Sequence, residues 1–273
     1  MRIFSLYHDF FLFLEHISPN SEKWEVYSEY YYKPHQDFFD CYFSCFPALD
    51  FPALRRRVEK IKTGDYSWLK FLVSRCPPEK IIREAYERCT KIAFPLAEPD
   101  VYLLVGFFSP DGFIMNFREK PVICFGLERF KDFRLLKILF AHEYAHYFQH
   151  LNKGDVPEED ELKWLLISEG ISTYFSRLAF PDQRLSDHFL FRRDRLNWCQ
   201  ENEGYLRKIH FSGKYTNQEL REFYAKGNPD LEIPPRAGKY LGFIAVKKFL
   251  DQNKGKEITD LLIDRDLALS LKL

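Results

Sequence analysis

The 273-residue sequence has no excess of charge of either sign, because 40 lysine and arginine residues balance 40 aspartate and glutamate residues. A net charge of +0 gives no electrostatic basis for binding nucleic acid or an anionic membrane surface. Long apolar runs are missing too, since no stretch approaches the roughly 20 residues of a membrane-spanning helix. We therefore expect neither a nucleic-acid partner nor a transmembrane segment.

Cysteine is sparse, with six residues in the whole chain. They are spread too thinly for a disulfide scaffold, and reduced thiols in a cytoplasm are the simplest explanation. The N-terminal apolar stretch, residues 10–14, is too short for the core of a secretory signal, and ionisable residues flank it. The sequence therefore predicts a cytoplasmic protein.

Hydrophobic residues make up 46% of the chain and aromatic residues 18%, so a sizeable core rich in large rings is available. A helical pattern extends to about residue 97 and returns at about residue 133. Three short runs rich in β-forming residues lie between, at residues 101–107, 113–117 and 122–125. The patterns predict an α+β fold. Its regions are a helical part, 1–97, and a part with the small sheet, 98–273, which could also form one compact unit.

One segment carries recognisable chemistry: His142, Glu143 and His146 form an H-E-x-x-H pattern. Residues 133–148 contain no glycine or proline and many apolar residues, which predicts a helix. On a helix, positions i and i+4 share a face, so two imidazoles can bind one zinc ion at about 2.0–2.1 Å. The carboxylate beside the first histidine is then near enough to take a proton from metal-bound water.

The same helix is apolar on nearly every side, which indicates a buried position. Ionisable groups there must be paired, neutral or bound to metal. A pair of core histidines with a hydrogen-bonded glutamate therefore stays open as an alternative to a metal site. A third ligand is what separates the two interpretations.

Glu169 is the candidate for that ligand. Asn152 stands where one class of zinc peptidase has a third histidine, and His150 lies too far along the same helix to complete the coordination. At helical spacing Glu169 lies on an apolar face, where a lone carboxylate is costly unless its charge is cancelled. Zinc would cancel the charge, and an ion pair with an arginine is the alternative.

The arrangement of His142, Glu143, His146 and a downstream Glu169 resembles that of the gluzincin metallopeptidases. More closely, the chain looks like a group of small bacterial proteins described as predicted zinc-dependent proteases. The segments that carry this resemblance are residues 125–128, 142–144, 168–170 and 235–242, within a similar region from about 101 to 250. The resemblance implies a zincin-like region with an H-E-x-x-H helix, and Zn²⁺ bound by the two histidines and Glu169.

The resemblance also implies a mechanism of peptide hydrolysis. Glu143 would be the general base that activates zinc-bound water, and a downstream tyrosine or histidine would stabilise the oxyanion. Tyr240 is our choice for that donor, with Arg236 four residues earlier on the same helix face, and His210 is the second choice. The expected partner is a peptide or protein substrate. Thr173 stands where many gluzincins have an aspartate that orients a zinc histidine, so orientation of His142 would come from elsewhere or be weaker.

Two other functions compete with the zinc metallopeptidase. A zinc hydrolase of a small amide would use the same residues on a different substrate. A catalytically inactive zincin-fold binding module would keep the metal site without turnover. The first differs from a peptidase in the shape of its cleft, and the second in having no oxyanion donor that reaches the metal.

Overall fold

The computed structural model describes residues 1–18, 20–46, 50–107, 110–152, 156–190 and 192–273. Within these ranges the chain is α+β, with a small mixed sheet and helices over most of the remaining length, which confirms the predicted fold class at this level. As expected, none of the described helices is both long and apolar enough to cross a membrane.

The chain forms two compact units. The first unit consists of Met1–Glu84 and Leu96–Lys137, and the second of Ala85–Pro95 and Ile138–Leu273. This division differs from the expected boundary at residue 97, because the strands group with the N-terminal helices and the H-E-x-x-H segment does not.

The sheet lies in the first unit and has four strands within the described residues. They are β1 (Arg2–Ser5), β2 (Asp100–Leu104), β3 (Gly112–Phe117) and β4 (Lys120–Gly126). Their order is β1-β2-β4-β3, with β1–β2 and β2–β4 parallel and β3–β4 antiparallel. The three predicted strands are confirmed as β2 to β4. β1 was missed because four residues just before a helical pattern give too little periodicity.

Aromatic side chains fill the core of the first unit. Its helices are α1 (Tyr7–His16), α2 (Lys23–Tyr27), α3 (Gln36–Ser44), α4 (Phe51–Lys60) and α5 (Ser67–Arg75), followed by α6 (Pro78–Thr90), which ends in the second unit. Tyr31 lies at the centre, with its ring centroid 5.4 Å from that of Phe10 and 4.8 Å from that of Phe39. Its buried hydroxyl accepts from the Val105 N–H at 2.9 Å, so burial leaves this polar group satisfied.

The second unit is helical in its described residues. Its helices after α6 are α7 (Leu136–Leu151), α8 (Glu161–Ala179), α9 (Leu185–His188), α10 (Arg193–Glu201), α11 (Glu203–His210), α12 (Asn217–Lys226), α13 (Ala237–Gln252), α14 (Ile258–Ile263) and α15 (Arg265–Leu269). The predicted H-E-x-x-H helix is confirmed as α7. Its apolar residues are buried on several sides, among them Phe140, Tyr144 and Phe148, as the all-round apolar pattern indicated.

Helices α8 and α13 cross in backbone contact. A Cβ added at Gly170 of α8 would overlap the carbonyl group of Gly242 in α13, and one added at Gly242 would overlap the Leu166 carbonyl. Glycine is required at both positions because neither backbone has room for a side chain. The close contact between the two helices determines which residues of α13 can reach the carboxylate of Glu169, the residue before Gly170.

Gly170→Ala is expected to lower the free energy of unfolding by about 3 kcal/mol, because backbone cannot yield to the added methyl group without a shift of the helices. Gly204→Ala in α11 is the matched control, since nothing lies within 4 Å of its added Cβ. That change should leave stability unaltered or raise it by up to about 1 kcal/mol. Urea unfolding followed by circular dichroism measures both, and equal effects of the two substitutions would contradict the close crossing.

Candidate metal centre

Two histidines of α7 face each other one helical turn apart. The Nε2 atoms of His142 and His146 lie 3.2 Å apart, and the ring planes meet at 81°. The His142 side chain is 3% exposed and that of His146 is 19% exposed. The helical spacing therefore turns both imidazole lone pairs toward one point at the edge of the buried interior.

Glu169 of α8 completes a group of three ligand atoms. Its Oε2 lies 3.2 Å from His142 Nε2, and its Oε1 lies 3.6 Å from His146 Nε2. Bonds of about 2.0–2.1 Å to a tetrahedral zinc ion would separate neighbouring ligand atoms by about 3.3 Å. The separations of the two imidazoles and the carboxylate are therefore compatible with three vertices of such a tetrahedron.

Hydrogen bonds from α7 and α8 orient His146. Its Nδ1 donates to Gln149 Oε1 at 3.0 Å, and the Ser168 hydroxyl donates to the same oxygen at 2.7 Å. A proton on Nδ1 leaves the Nε2 lone pair for a metal. The sequence analysis missed Gln149 and Ser168 in this role, although one lies a helical turn after His146 and the other directly precedes Glu169.

His142 has no comparable support. Its Nδ1 is buried and has no hydrogen-bond partner among the described residues. Thr173 does not fill this role, because its hydroxyl donates to the Glu169 carbonyl oxygen at 2.8 Å. Of the two expectations for His142, orientation from elsewhere or weaker orientation, the described residues offer no hydrogen bond to Nδ1 that would provide the first. The imidazole is held by burial and by the contacts of its Nε2 atom.

Lys239 of α13 reaches the same group of atoms, which the sequence analysis did not predict. Its Nζ lies 2.8 Å from Glu169 Oε2 and 3.2 Å from His142 Nε2. Its side chain is only 14% exposed, so solvent screens this ion pair weakly. One indication of this position in the sequence is that Lys239 directly follows Gly238, the residue at which α13 packs on Leu166 of α8.

The pKa values reflect burial and these charges. Burial, followed by the nearby Lys239 ammonium, lowers the pKa of His142 to about 3. Burial also acts to lower the pKa of His146, but hydrogen bonding to Glu169 and the charge of that carboxylate outweigh it and raise the pKa. Burial acts to raise the pKa of Glu169, yet Lys239 and the two histidines hold it well below its usual range. Glu169 is therefore ionised and His142 neutral, as metal ligands must be.

The structure places the other predicted site residues in different surroundings. Arg236 precedes α13 with φ of 68°, so it does not share the expected helical face with Tyr240. The Tyr240 hydroxyl donates to Glu203 Oε2 at 3.4 Å, and burial raises its pKa to about 12. His210 lies with its ring centroid 6.0 Å from that of Tyr224.

Arg236 nevertheless lies near the cluster. It lines a pocket of about 230 Å³ together with Glu169 and Lys239. Glu143 is 6% exposed on α7 beside His142. The roles expected of Glu143, Arg236 and Tyr240 in catalysis stay predictions.

Comparison with known proteins gives a family match over most of the second unit. Residues 137–269 match the model of a family described as gliding motility protein GldB, which is 133 of the 273 residues. The match includes α8, α13 and nearly all of α7, and hence the three candidate ligands. No curated protein and no solved structure is significantly similar to the chain.

The match contradicts the resemblance to gluzincin peptidases and the function drawn from it. The matched family is a motility family and not a family of zinc peptidases, so the interpretation as a zinc metallopeptidase acting on peptide substrates is wrong. The H-E-x-x-H spacing misled because it specifies a geometry for metal ligands, and the same geometry serves proteins that do not hydrolyse peptides.

The same family match contradicts the predicted cytoplasmic location. The short name of the matched family, GldB_lipo, designates a lipoprotein, and lipoproteins belong to the cell envelope. The expectation depended on cysteine usage and on a short apolar stretch near residue 10, and neither reports on a lipid anchor.

Metal affinity at this cluster is expected to fall as the pH is lowered from about 8 to about 6. His146 has a raised pKa and keeps its proton to higher pH, so a metal must displace that proton, whereas His142 is already neutral. The loss should approach tenfold per pH unit below the pKa of His146. Zinc titrations against a competing chelator at several pH values measure it, and an affinity that is constant over this range would contradict the assignment.

Proposed function

We propose that the chain is a zinc-binding, non-catalytic component of a gliding motility apparatus in the cell envelope. The observation that carries the metal site is the spacing of His142, His146 and Glu169, whose ligand atoms lie 3.2–3.6 Å apart on two helices. The role in motility is supported by the family match over the same helices. In this proposal the three ligands have a zincin-like arrangement, and the module that carries them has no peptidase activity.

The donor set supports zinc among the common divalent ions. Two imidazole nitrogens and one carboxylate oxygen suit zinc, whereas magnesium and calcium take oxygen ligands almost exclusively. Gln149 and Ser168 orient His146 with its Nε2 lone pair toward the cluster, which is the support that zinc histidines usually have.

Lys239 supports a structural and not a catalytic role for the ion. A catalytic zinc keeps one vertex open for water. In this proposal the Lys239 ammonium, 2.8 Å from Glu169 Oε2 and 3.2 Å from His142 Nε2, limits the room for such a water beside the two ligands. In this arrangement the metal joins α7 to α8 near the point where α8 crosses α13, and so stabilises the packing of the second unit.

His146→Ala is expected to remove the bound metal and to abolish gliding when the altered gene replaces the natural one in the organism that encodes it. Loss of one of three protein ligands leaves a site too weak to retain zinc at cellular concentrations. Elemental analysis of the purified protein should give about one zinc per chain for the natural sequence and none for the variant. Movement of single cells on a surface gives the functional readout.

His150→Ala is the matched control, since this histidine lies one turn further along α7 and outside the cluster. It should keep both metal and gliding. Glu143→Gln should also keep both, because the proposal gives this carboxylate no catalytic task. A natural protein without metal, gliding that survives His146→Ala, or peptide cleavage lost with Glu143→Gln would each contradict the proposal.

A further inference from the structure

A second pocket lies within the first unit, far in sequence from the histidine cluster. It has a volume of about 610 Å³, within the range of small-molecule sites, and lies between α4, the segment that follows it and the turn at residue 128. Its charged lining consists of Arg56, Arg57, Lys60, Asp65 and Glu128. Cations therefore outnumber carboxylates around the cavity.

The cations come from one side of α4. Arg56 and Lys60 are four residues apart and share a helix face, and Arg57 is next to the first of them. Neither Arg56 nor Lys60 forms an ion pair within the part of the chain that the structure describes. A group with several acceptor oxygens can contact two or three of these side chains together, which suits a phosphate better than a single carboxylate.

A buried carboxylate closes another side of the pocket. Glu128 Oε1 accepts from the Gly106 N–H at 3.0 Å, while Oε2 is buried and has no hydrogen-bond partner among the described residues. Burial raises the pKa of this carboxyl to about 7, although backbone hydrogen bonds act to lower it. A buried carboxylate oxygen without a donor favours a ligand that brings one, and an ammonium brings both donors and a positive charge.

The remaining walls suit the same kind of ligand. Tyr66 and Trp68 contribute aromatic rings to the pocket, and aromatic faces attract cations. The Asp65 carboxylate is already engaged, since its Oδ2 accepts from the Lys62 N–H at 2.9 Å. Glu128 is therefore the pocket-lining carboxylate with a buried oxygen that has no hydrogen-bond partner among the described residues.

We propose that this pocket binds a phosphoethanolamine group, with the phosphate on Arg56, Arg57 and Lys60 and the ammonium directed to Glu128. The spacing of the cations along one turn of α4 and the partnerless oxygen of Glu128 in the lining of the same pocket assign the two ends of the ligand. The group can come from a free small molecule or from the head group of a lipid, and the chemistry of recognition is the same.

Isothermal titration with O-phosphoethanolamine, inorganic phosphate and ethanolamine tests the proposal. O-phosphoethanolamine should bind to the natural protein more tightly than either of the other two compounds. Arg56→Ala and Lys60→Ala should each weaken binding of both phosphate compounds about tenfold. Glu128→Gln should weaken O-phosphoethanolamine about tenfold and leave inorganic phosphate unchanged.

Arg55→Ala is the matched control, because this arginine belongs to α4 but does not line the pocket. It should alter no affinity, and thermal melting should show that every variant is folded. Absence of O-phosphoethanolamine binding at millimolar concentration overturns the proposal. Equal losses in Arg55→Ala and Arg56→Ala overturn the phosphate assignment, and an unchanged affinity in Glu128→Gln overturns the ammonium assignment.

Vesicles separate the two sources of the ligand. Phosphatidylcholine has no N–H donor for Glu128, so its vesicles should bind weakly, and added phosphatidylethanolamine should increase binding if the ligand is a lipid head group. That increase should disappear in Arg56→Ala and persist in Arg55→Ala. Binding of free O-phosphoethanolamine without any such increase assigns the pocket to a soluble molecule.

Discussion

The Glu169 carboxylate contacts two imidazoles in a buried position, where burial of any one of the three groups without a partner would cost free energy. Burial penalises each charge, and the interaction is favourable only because the groups compensate one another. The contact between Gly170 and Gly242 makes this possible, since it brings α13 against α8 and delivers Lys239 to the same carboxylate. Removal of one partner would leave a buried charge or an unsatisfied ring nitrogen, so the packing of α7, α8 and α13 and the ionisation of the cluster depend on each other.

Lys239 changes the chemistry expected of the H-E-x-x-H pattern. A hydrolytic zinc site keeps one vertex open to water, whereas here the Lys239 ammonium contacts two of the three candidate ligands, Glu169 and His142. Gln149 and Ser168 hold one imidazole in a metal-ready tautomer, while Nδ1 of the other has no partner among the described residues. These features are the basis of the proposal that a bound ion has a structural role at this site.

The local periodicity of the sequence was sufficient to predict part of the fold and part of the candidate site. The lack of glycine and proline over residues 133–148 predicted α7, and helical spacing placed the two histidines on one face. Glu169 was chosen because a lone carboxylate on an apolar helix face needs a partner, and it lies within reach of both histidines. Lys239 could not be predicted in this way, because its position follows from a crossing of helices about 70 residues apart in sequence. Tyr240 was chosen over His210 by analogy with peptidases, together with Arg236 on the same helix face, but Arg236 precedes α13 with φ of 68° and lies outside that helix. The function predicted from the H-E-x-x-H pattern was wrong because the spacing of metal ligands does not specify the role of a bound metal.

X-ray absorption at the zinc edge of the metal-loaded protein tests the central claim most directly. The structure predicts a first shell of nitrogen and oxygen at about 2.0–2.1 Å, with the outer-shell scattering of two imidazole rings, and a loss of one ring contribution in His146→Ala. A shell that contains sulfur at about 2.3 Å, or one without imidazole scattering, would show that the metal binds elsewhere and would contradict the site formed by α7 and α8.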